Sequence, residues 1–349
     1  MNSSNMSTAN SSDSSIKHLG NFTMFFHSVI CALGVIGNGL VIYITGFKMK
    51  KTVNTICFLN LAVADFLFTF FLILGIIWTS QNYNWIFGDF MCKFYSFVFV
   101  LNMFASIFLL TAISLDRCLS TWVIVWVQNQ RTLFKARVCC FFIWLISGSC
   151  SVPFCVYRKA RFNESKNTTI CLQDYDSATY KHLIIFRFMV GFLIPFMIIT
   201  GSYLSIGIRV RRLHQKTMKP FKVIMVVILA FFFCWLPYHI YLFIDLWTYE
   251  TRNNNKEINL NEFKKVLNHV GPAVTSLAYL NSCLNPFLYV FMCEEFKKKL
   301  KHSLVAVFES AFAEEQLALL VSQYSIRHRK SHSRSVPVTD DTQSSSINP

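Results

Sequence analysis

Seven stretches of this chain are too long and too apolar to belong to a water-soluble core, and that pattern limits the architecture more than any motif does. They lie at roughly 22–47, 56–78, 91–118, 136–157, 183–209, 219–247 and 268–292. Each is a block of about 20 or more mostly apolar residues, the length at which a helix crosses a hydrocarbon layer about 30 Å thick. Backbone inside that layer must satisfy its own N–H and C=O groups, so the blocks predict helices. A soluble chain would show amphipathic stripes, and would be closer to a quarter charged than the 15% found here. The expected fold is all-α: a seven-transmembrane helix bundle.

The charge distribution orients the bundle. The chain has a net charge of +15. Much of the excess lies in three short loops, around Lys48–Lys51, Arg131–Arg137 and Arg209–Lys222. These loops fall on one side of the membrane, which reads as the cytoplasmic side. No basic domain with interleaved aromatics is present, so nucleic acid is excluded as a partner. Residues 1–21 are polar and Ser/Asn-rich, lack the apolar core of a signal peptide, and carry sequons at Asn2, Asn5, Asn10 and Asn21. Two further sequons, Asn163 and Asn167, fall in a loop on the same side. The expected organisation is a glycosylated extracellular tail over 1–21 and a membrane bundle over 22–292. A membrane-surface helix over 293–310 and a cytoplasmic, largely disordered tail over 311–349 follow. Phe296, Leu300, Leu304 and Phe308 recur every four residues beside a Lys-rich face, which suits a helix lying on membrane lipid. Cys92 and Cys171 both face the oxidising side, so a disulfide between them is expected, with Cys155 as the rival partner.

Ionisable and polar groups inside spans are costly and therefore informative. Asp65 lies in the middle of span 2. Asn38, Ser106, Asn281, Ser282 and Asn285 sit at compatible depths. Such a cluster either holds a small cation such as Na⁺ against the carboxylate or glues helices together by hydrogen bonds. Asp116 and Arg117 close span 3 on the cytoplasmic side, either snorkelling or forming a lock. Pro195, Pro237 and Pro286 interrupt spans 5, 6 and 7, each removing a backbone hydrogen bond. Asp65 is the one clear carboxylate deep in a span, so an intramembrane enzyme is not expected. The Gly-rich half-helices of a transporter are missing as well.

GNGLV in span 1, LNLAVAD in span 2, Asp116-Arg117-Cys118, Trp144, Pro195, Phe231-x-x-Cys234-Trp235-Leu236-Pro237 and Asn285-Pro286-x-x-Tyr289 occur in order. Together they resemble the signature of rhodopsin-like G-protein-coupled receptors over residues 22–310. The resemblance implies a connector of Ile107, Pro195 and Phe231 beneath the ligand and a toggle at Trp235. It also implies that Tyr203 and Tyr289 move toward Arg117, and that Na⁺ binds at Asp65, Ser106, Asn281 and Asn285, with no other cofactor. FKMKKTVNTICFLNLAVADFLF, LNMFASIFLLTAISLDRC and NSCLNPFLYVF resemble the chemoattractant group, nearest to chemerin (chemokine-like) receptors and then formyl-peptide receptors. A plasma-membrane receptor is implied, coupled to an inhibitory-type heterotrimeric G protein and to arrestin. The implied ligand is an extracellular peptide, a chemerin-like ligand or a lipid. Formyl-peptide receptors read their ligand with an acid on span 3 and two arginines on span 5. The aligned residues here are Val100, Leu183 and Arg187. Arg187 is thus expected to meet an anionic group of the ligand, with Phe104, Trp235 and Tyr279 as apolar walls. Ile124 replaces the proline usual in the second inner loop, and Cys118 ends the Asp-Arg motif. Both keep open an alternative function as a non-signalling scavenger of the same fold.

Overall fold

The computed structural model describes residues 3–123, 130–165, 167–212, 219–253, 261–292, 296–303 and 305. Asn2, Ile124 and the hydroxyl-rich stretch beyond 305 lie outside the described residues, as do the side chains of Asn5, Asn10 and Tyr289.

Seven long helices form the bundle. α1 spans Ser3–Tyr43 and ends in a wide π turn, Ile44–Lys48. α2 is Val53–Ser80, α3 Gly88–Trp122 and α4 Leu133–Val156. α5 is Ser177–Arg212, α6 Lys219–Asn253 and α7 Asn261–Met292. Six of them are long and apolar enough to cross a membrane by length and composition, and α7 completes the bundle by packing on α1 and α6. A helix at 296–303 follows. The chain divides into a unit through Lys297, which holds the bundle, and a second unit from Lys298.

Three helices begin before their apolar blocks at polar side-chain caps. Thr52 begins α2 with a reciprocal capping box: its hydroxyl accepts from the Thr55 N–H at 3.2 Å, and the Thr55 hydroxyl accepts from the Thr52 N–H at 2.7 Å. Thr132 and Asp176 cap α4 and α5 in the same sense. Asp176 therefore starts α5 at Ser177, about two turns before the apolar block at 183. α1 is helical from Ser3, so residues 3–21 continue into the first span without a break.

α3 is the central element, packed against α2, α4 and α5 and touching α6. Small residues set the closest approaches. A Cβ on Gly34 would fall 2.3 Å from Thr69 Cγ2, so only glycine lets α1 lie this close to α2. α5 contains one π turn, Met189–Leu193, immediately before Pro195. A proline supplies no N–H, and a single wide turn is a common way for a helix to absorb the missing bond.

The bundle carries one element that the apolar pattern does not show. Strands β1 (Arg158–Asn163) and β2 (Thr168–Gln173) pair antiparallel, with Ala160 opposite Cys171. RKARFN and TTICLQ contain no apolar run, so periodicity gives no strand signal there. The hairpin is tied down on several sides. Cys171 is disulfide-bonded to Cys92, which rules out Cys155 as the partner. Asp89 Oδ1 accepts from the Ala160 N–H at 2.9 Å, and the Trp85 N–H donates to the Thr169 carbonyl at 2.7 Å. Asn167 is exposed at the hairpin turn with φ +50°, and Asn163 is half-buried.

Candidate functional site

A cavity of about 440 Å³ lies at the hairpin end of the bundle, within the roughly 300–1,000 Å³ usual for ligand pockets. Six tyrosines line it, with Arg158 and Asp245 as its charged residues. Asp245 accepts a hydrogen bond from the Tyr180 hydroxyl. His27 of α1 reaches the same space and bonds to the Ser276 hydroxyl at 3.0 Å. The deep wall is aromatic. Phe99, Tyr238 and Tyr279 face the cavity, and the rings of Phe99 and Tyr238 each stand 5.7 Å from the ring of Trp235 behind them.

Among the residues expected at the ligand, Tyr279 lines the cavity. Val100, Phe104, Trp235 and Arg187 lie buried behind its surface. Phe104 packs against Phe154 and Phe186 near Gly191, toward α4 and α5. Arg187 reaches the cavity through one intermediary: its Nη1 donates to the Tyr238 hydroxyl at 2.7 Å. The guanidinium lies 4.2 Å from the Phe154 ring centroid. Arg158, at the start of β1, is the arginine that lines the cavity directly. Its loop position made it one basic residue among several in the sequence, and only the hairpin register turns it inward.

Below Trp235, a polar layer surrounds Asp65, which has no exposure to solvent. Asn285 donates to Asp65 Oδ2 at 2.7 Å. With the Asn102 amide oriented to satisfy both ends, its nitrogen donates to Asp65 Oδ1 at 3.1 Å and its oxygen accepts from the Ser282 hydroxyl at 2.8 Å. The Ser106 hydroxyl lies 3.5 Å from the Asn102 side chain, and Asn38 donates to the Ser282 carbonyl at 2.8 Å. Asn281 is buried nearby on α7. Asn102 joins this cluster beyond the polar residues expected from the sequence. The available signal was its place four residues before Ser106, on the same face of α3. Two amide oxygens, Asn38 Oδ1 and Asn285 Oδ1, are buried with no donor. Oxygen atoms beside a carboxylate are the donor set a hard cation takes, so these residues fit Na⁺.

At the opposite end, the structure gives Asp116 a different partner from its neighbour Arg117. Arg131 holds both carboxylate oxygens, Nε to Oδ1 and Nη2 to Oδ2, each at 2.9 Å. Arg131 Nη2 also donates to Asn54 Oδ1 at 3.0 Å, so three segments meet there. Adjacent residues of a helix point about 100° apart, which is why Asp116 can turn to Arg131 while Arg117 faces elsewhere. Arg117 Nε is buried without a hydrogen-bond partner, and Tyr203 of α5 is buried as well. Ile107, Pro195 and Phe231 are all buried between these layers, and the Phe231 ring is 5.8 Å from that of Trp235. Pro237 and Pro286 lie within unbroken α6 and α7.

Comparison with known proteins agrees with this geometry. The family model described as "7 transmembrane receptor (rhodopsin family)" matches residues 37–289. Human chemerin-like receptor 1 is 40% identical over 314 residues, covering 84% of this chain and 80% of that protein. The zebrafish (Danio rerio) C3a anaphylatoxin chemotactic receptor is 44% identical over 284 residues, covering 81% of this chain and 75% of its own. Human N-formyl peptide receptor 3 is 35% identical over 308 residues, covering 84% and 85%. The chain belongs to the rhodopsin family of seven-transmembrane receptors. It is a cell-surface receptor of the chemoattractant type and not an enzyme.

Proposed function

We propose that this receptor binds an extracellular ligand through an anionic group and signals through an inhibitory-type heterotrimeric G protein and arrestin. The ligand is a peptide with a free C-terminus, a chemerin-like ligand or an acidic lipid. One observation carries the reading: Arg158 and Tyr238 both line the cavity, and Arg187 bonds to that tyrosine's hydroxyl. A guanidinium matches a carboxylate in a way a lysine does not. The hairpin end is then extracellular, consistent with its disulfide and with the sequons at Asn163 and Asn167. Residues 1–21 are a glycosylated outer tail, 22–292 the bundle, 293–310 a membrane-surface helix and 311–349 a cytoplasmic tail. Ligand pressure on Phe99 and Tyr238 displaces Trp235, and the change reaches Arg117 through the Ile107–Pro195–Phe231 layer and through Tyr203 and Tyr289. Agonist screening should pair each acidic peptide with its C-terminal amide, reading G-protein dissociation and arrestin recruitment separately. Arg187→Ala should lose more than the ~1–2 kcal/mol typical of a neutral hydrogen bond, and amidation should weaken the wild type but not the variant. Equal loss in both would place the carboxylate elsewhere.

Na⁺ at Asp65, Ser106, Asn281 and Asn285, with Asn102 in support, would favour the resting packing. Raising Na⁺ should therefore weaken agonist binding in the wild type and leave Asp65→Asn unaffected. A sodium effect of the same size in that variant would reduce the cluster to a helix-joining role.

A further inference from the structure

We infer that a small inorganic anion, chloride outside the cell, binds at Arg187, Trp235 and His239 while the cavity holds no ligand. The inference rests on the proposed reading of Arg187 as an anion-binding group and asks what meets its charge before a ligand does. Arg187 is 6% exposed, and among the described residues no carboxylate lies within ion-pair distance of it. Asp245, the acid of the adjacent cavity, is hydrogen-bonded to Tyr180. One Arg187 nitrogen is bonded to the Tyr238 hydroxyl, while its Nε has no partner. The Phe154 and Tyr238 rings offer cation–π contact at 4.2 and 5.9 Å from their centroids. Such contacts give about 0.5–2 kcal/mol, whereas burying an unpaired ion costs several kcal/mol. The rings do not balance that cost.

Two further nitrogens on the facing turns of α6 are in the same condition. Trp235 Nε1 and His239 Nε2 are buried without partners, on residues only 1% exposed. Their rings stand 6.4 Å apart and both pack on Tyr238, the residue that holds Arg187. With the His239 proton assigned to Nε2, three buried N–H groups on residues packed around Tyr238, and one positive charge, are without a partner. Arg158 is close enough for its charge to oppose that of Arg187, which adds to the local positive potential. Water could accept from the donors but would leave the charge. A monovalent anion answers both.

The test uses the purified full-length receptor without ligand, at constant Na⁺ and constant ionic strength, with chloride or bromide exchanged for the bulkier gluconate. Chloride and bromide should raise the unfolding midpoint by roughly 2 °C or more relative to gluconate, and Arg187→Gln should abolish the difference. Chloride NMR line broadening by the wild type, reduced in Trp235→Phe, reads the same site should Arg187→Gln fail to fold. Equal midpoints in chloride and gluconate, with no broadening, would mean that water fills the layer. A full effect surviving in both variants would move the anion elsewhere. Either result overturns the inference. Neither touches the ligand reading of Arg187, which is decided by the amidation comparison.

Discussion

The two ends of the bundle are held by different kinds of bond. At the hairpin end a disulfide joins α3 to β2, and backbone bonds from Trp85 and to Asp89 fix the same hairpin. At the Arg117 end, the ties among the described residues are non-covalent: a charged fork of Asp116 with Arg131, extended to Asn54, and Arg209 of α5 over the Trp122 ring of α3. The disulfide of the first set persists unless a covalent bond is cut. The fork of the second is about one-quarter exposed and reversible. A receptor that must keep its mouth shaped while its inner face opens would place its bonds in this order.

The largest effect should come from removing the covalent tie. Cys92→Ala and Cys171→Ala each open a loop closed over a sequence separation of 79 residues, worth about 4 kcal/mol in the chain-entropy description. Each should sharply reduce surface expression, and the double variant should add little. Independent, additive losses would show that the pair does not act as one bond.

An intermediate effect is expected at the other end. Asp116→Asn removes the charge from the fork, at a cost of about 1.5–3 kcal/mol for hydrogen bonds to a charged group. If the fork exists only in the resting arrangement, basal G-protein activation should rise about tenfold. Arg117→Ala should remove activation with the protein still at the surface. Unchanged basal signalling in Asp116→Asn would assign the fork to both arrangements and blur the contrast between the ends.

The smallest effect should come from the ion pairs on the hairpin itself. Asp174 pairs with Lys159 and Arg161, and Lys159 leads in holding its carboxyl below the usual range. Solvent and salt screen such pairs. Asp174→Asn should lower thermal stability only slightly near neutral pH, where the contribution of the pairs is present but screened. The pairs contribute only above the ordinary carboxylate range, and what they contribute is lost as pH falls through the lowered Asp174 value. A marked loss of stability at neutral pH would mean that ion pairs share the work of the disulfide.

The sequence made the helices legible because membrane spans write a long, one-sided signal, and Asp65 stood out for the same reason. Features made by short polar segments were hidden. The hairpin has no apolar alternation, and Arg158 is one loop cation among several until its strand register is known. Asn102 was legible in principle, by its spacing from Ser106, and was overshadowed by the polar residues of α7. The Asp116–Arg131 fork joins residues 15 apart through a loop, which no helical period encodes. Arg187 was expected at the ligand, and its place behind Tyr238 depends on packing that a single chain does not display.

The π turn at Met189–Leu193 divides α5 into two halves that are out of phase. A single extra residue in a turn rotates everything beyond it by about 100° relative to an uninterrupted helix. Counting back from Pro195 on an ideal helical wheel therefore assigns each side chain of the outer half to the wrong neighbour. The meeting of Arg187 with Tyr238 depends on that offset, so a one-residue change in the length of this turn would rewrite which side chains α5 presents to the cavity without altering any of them.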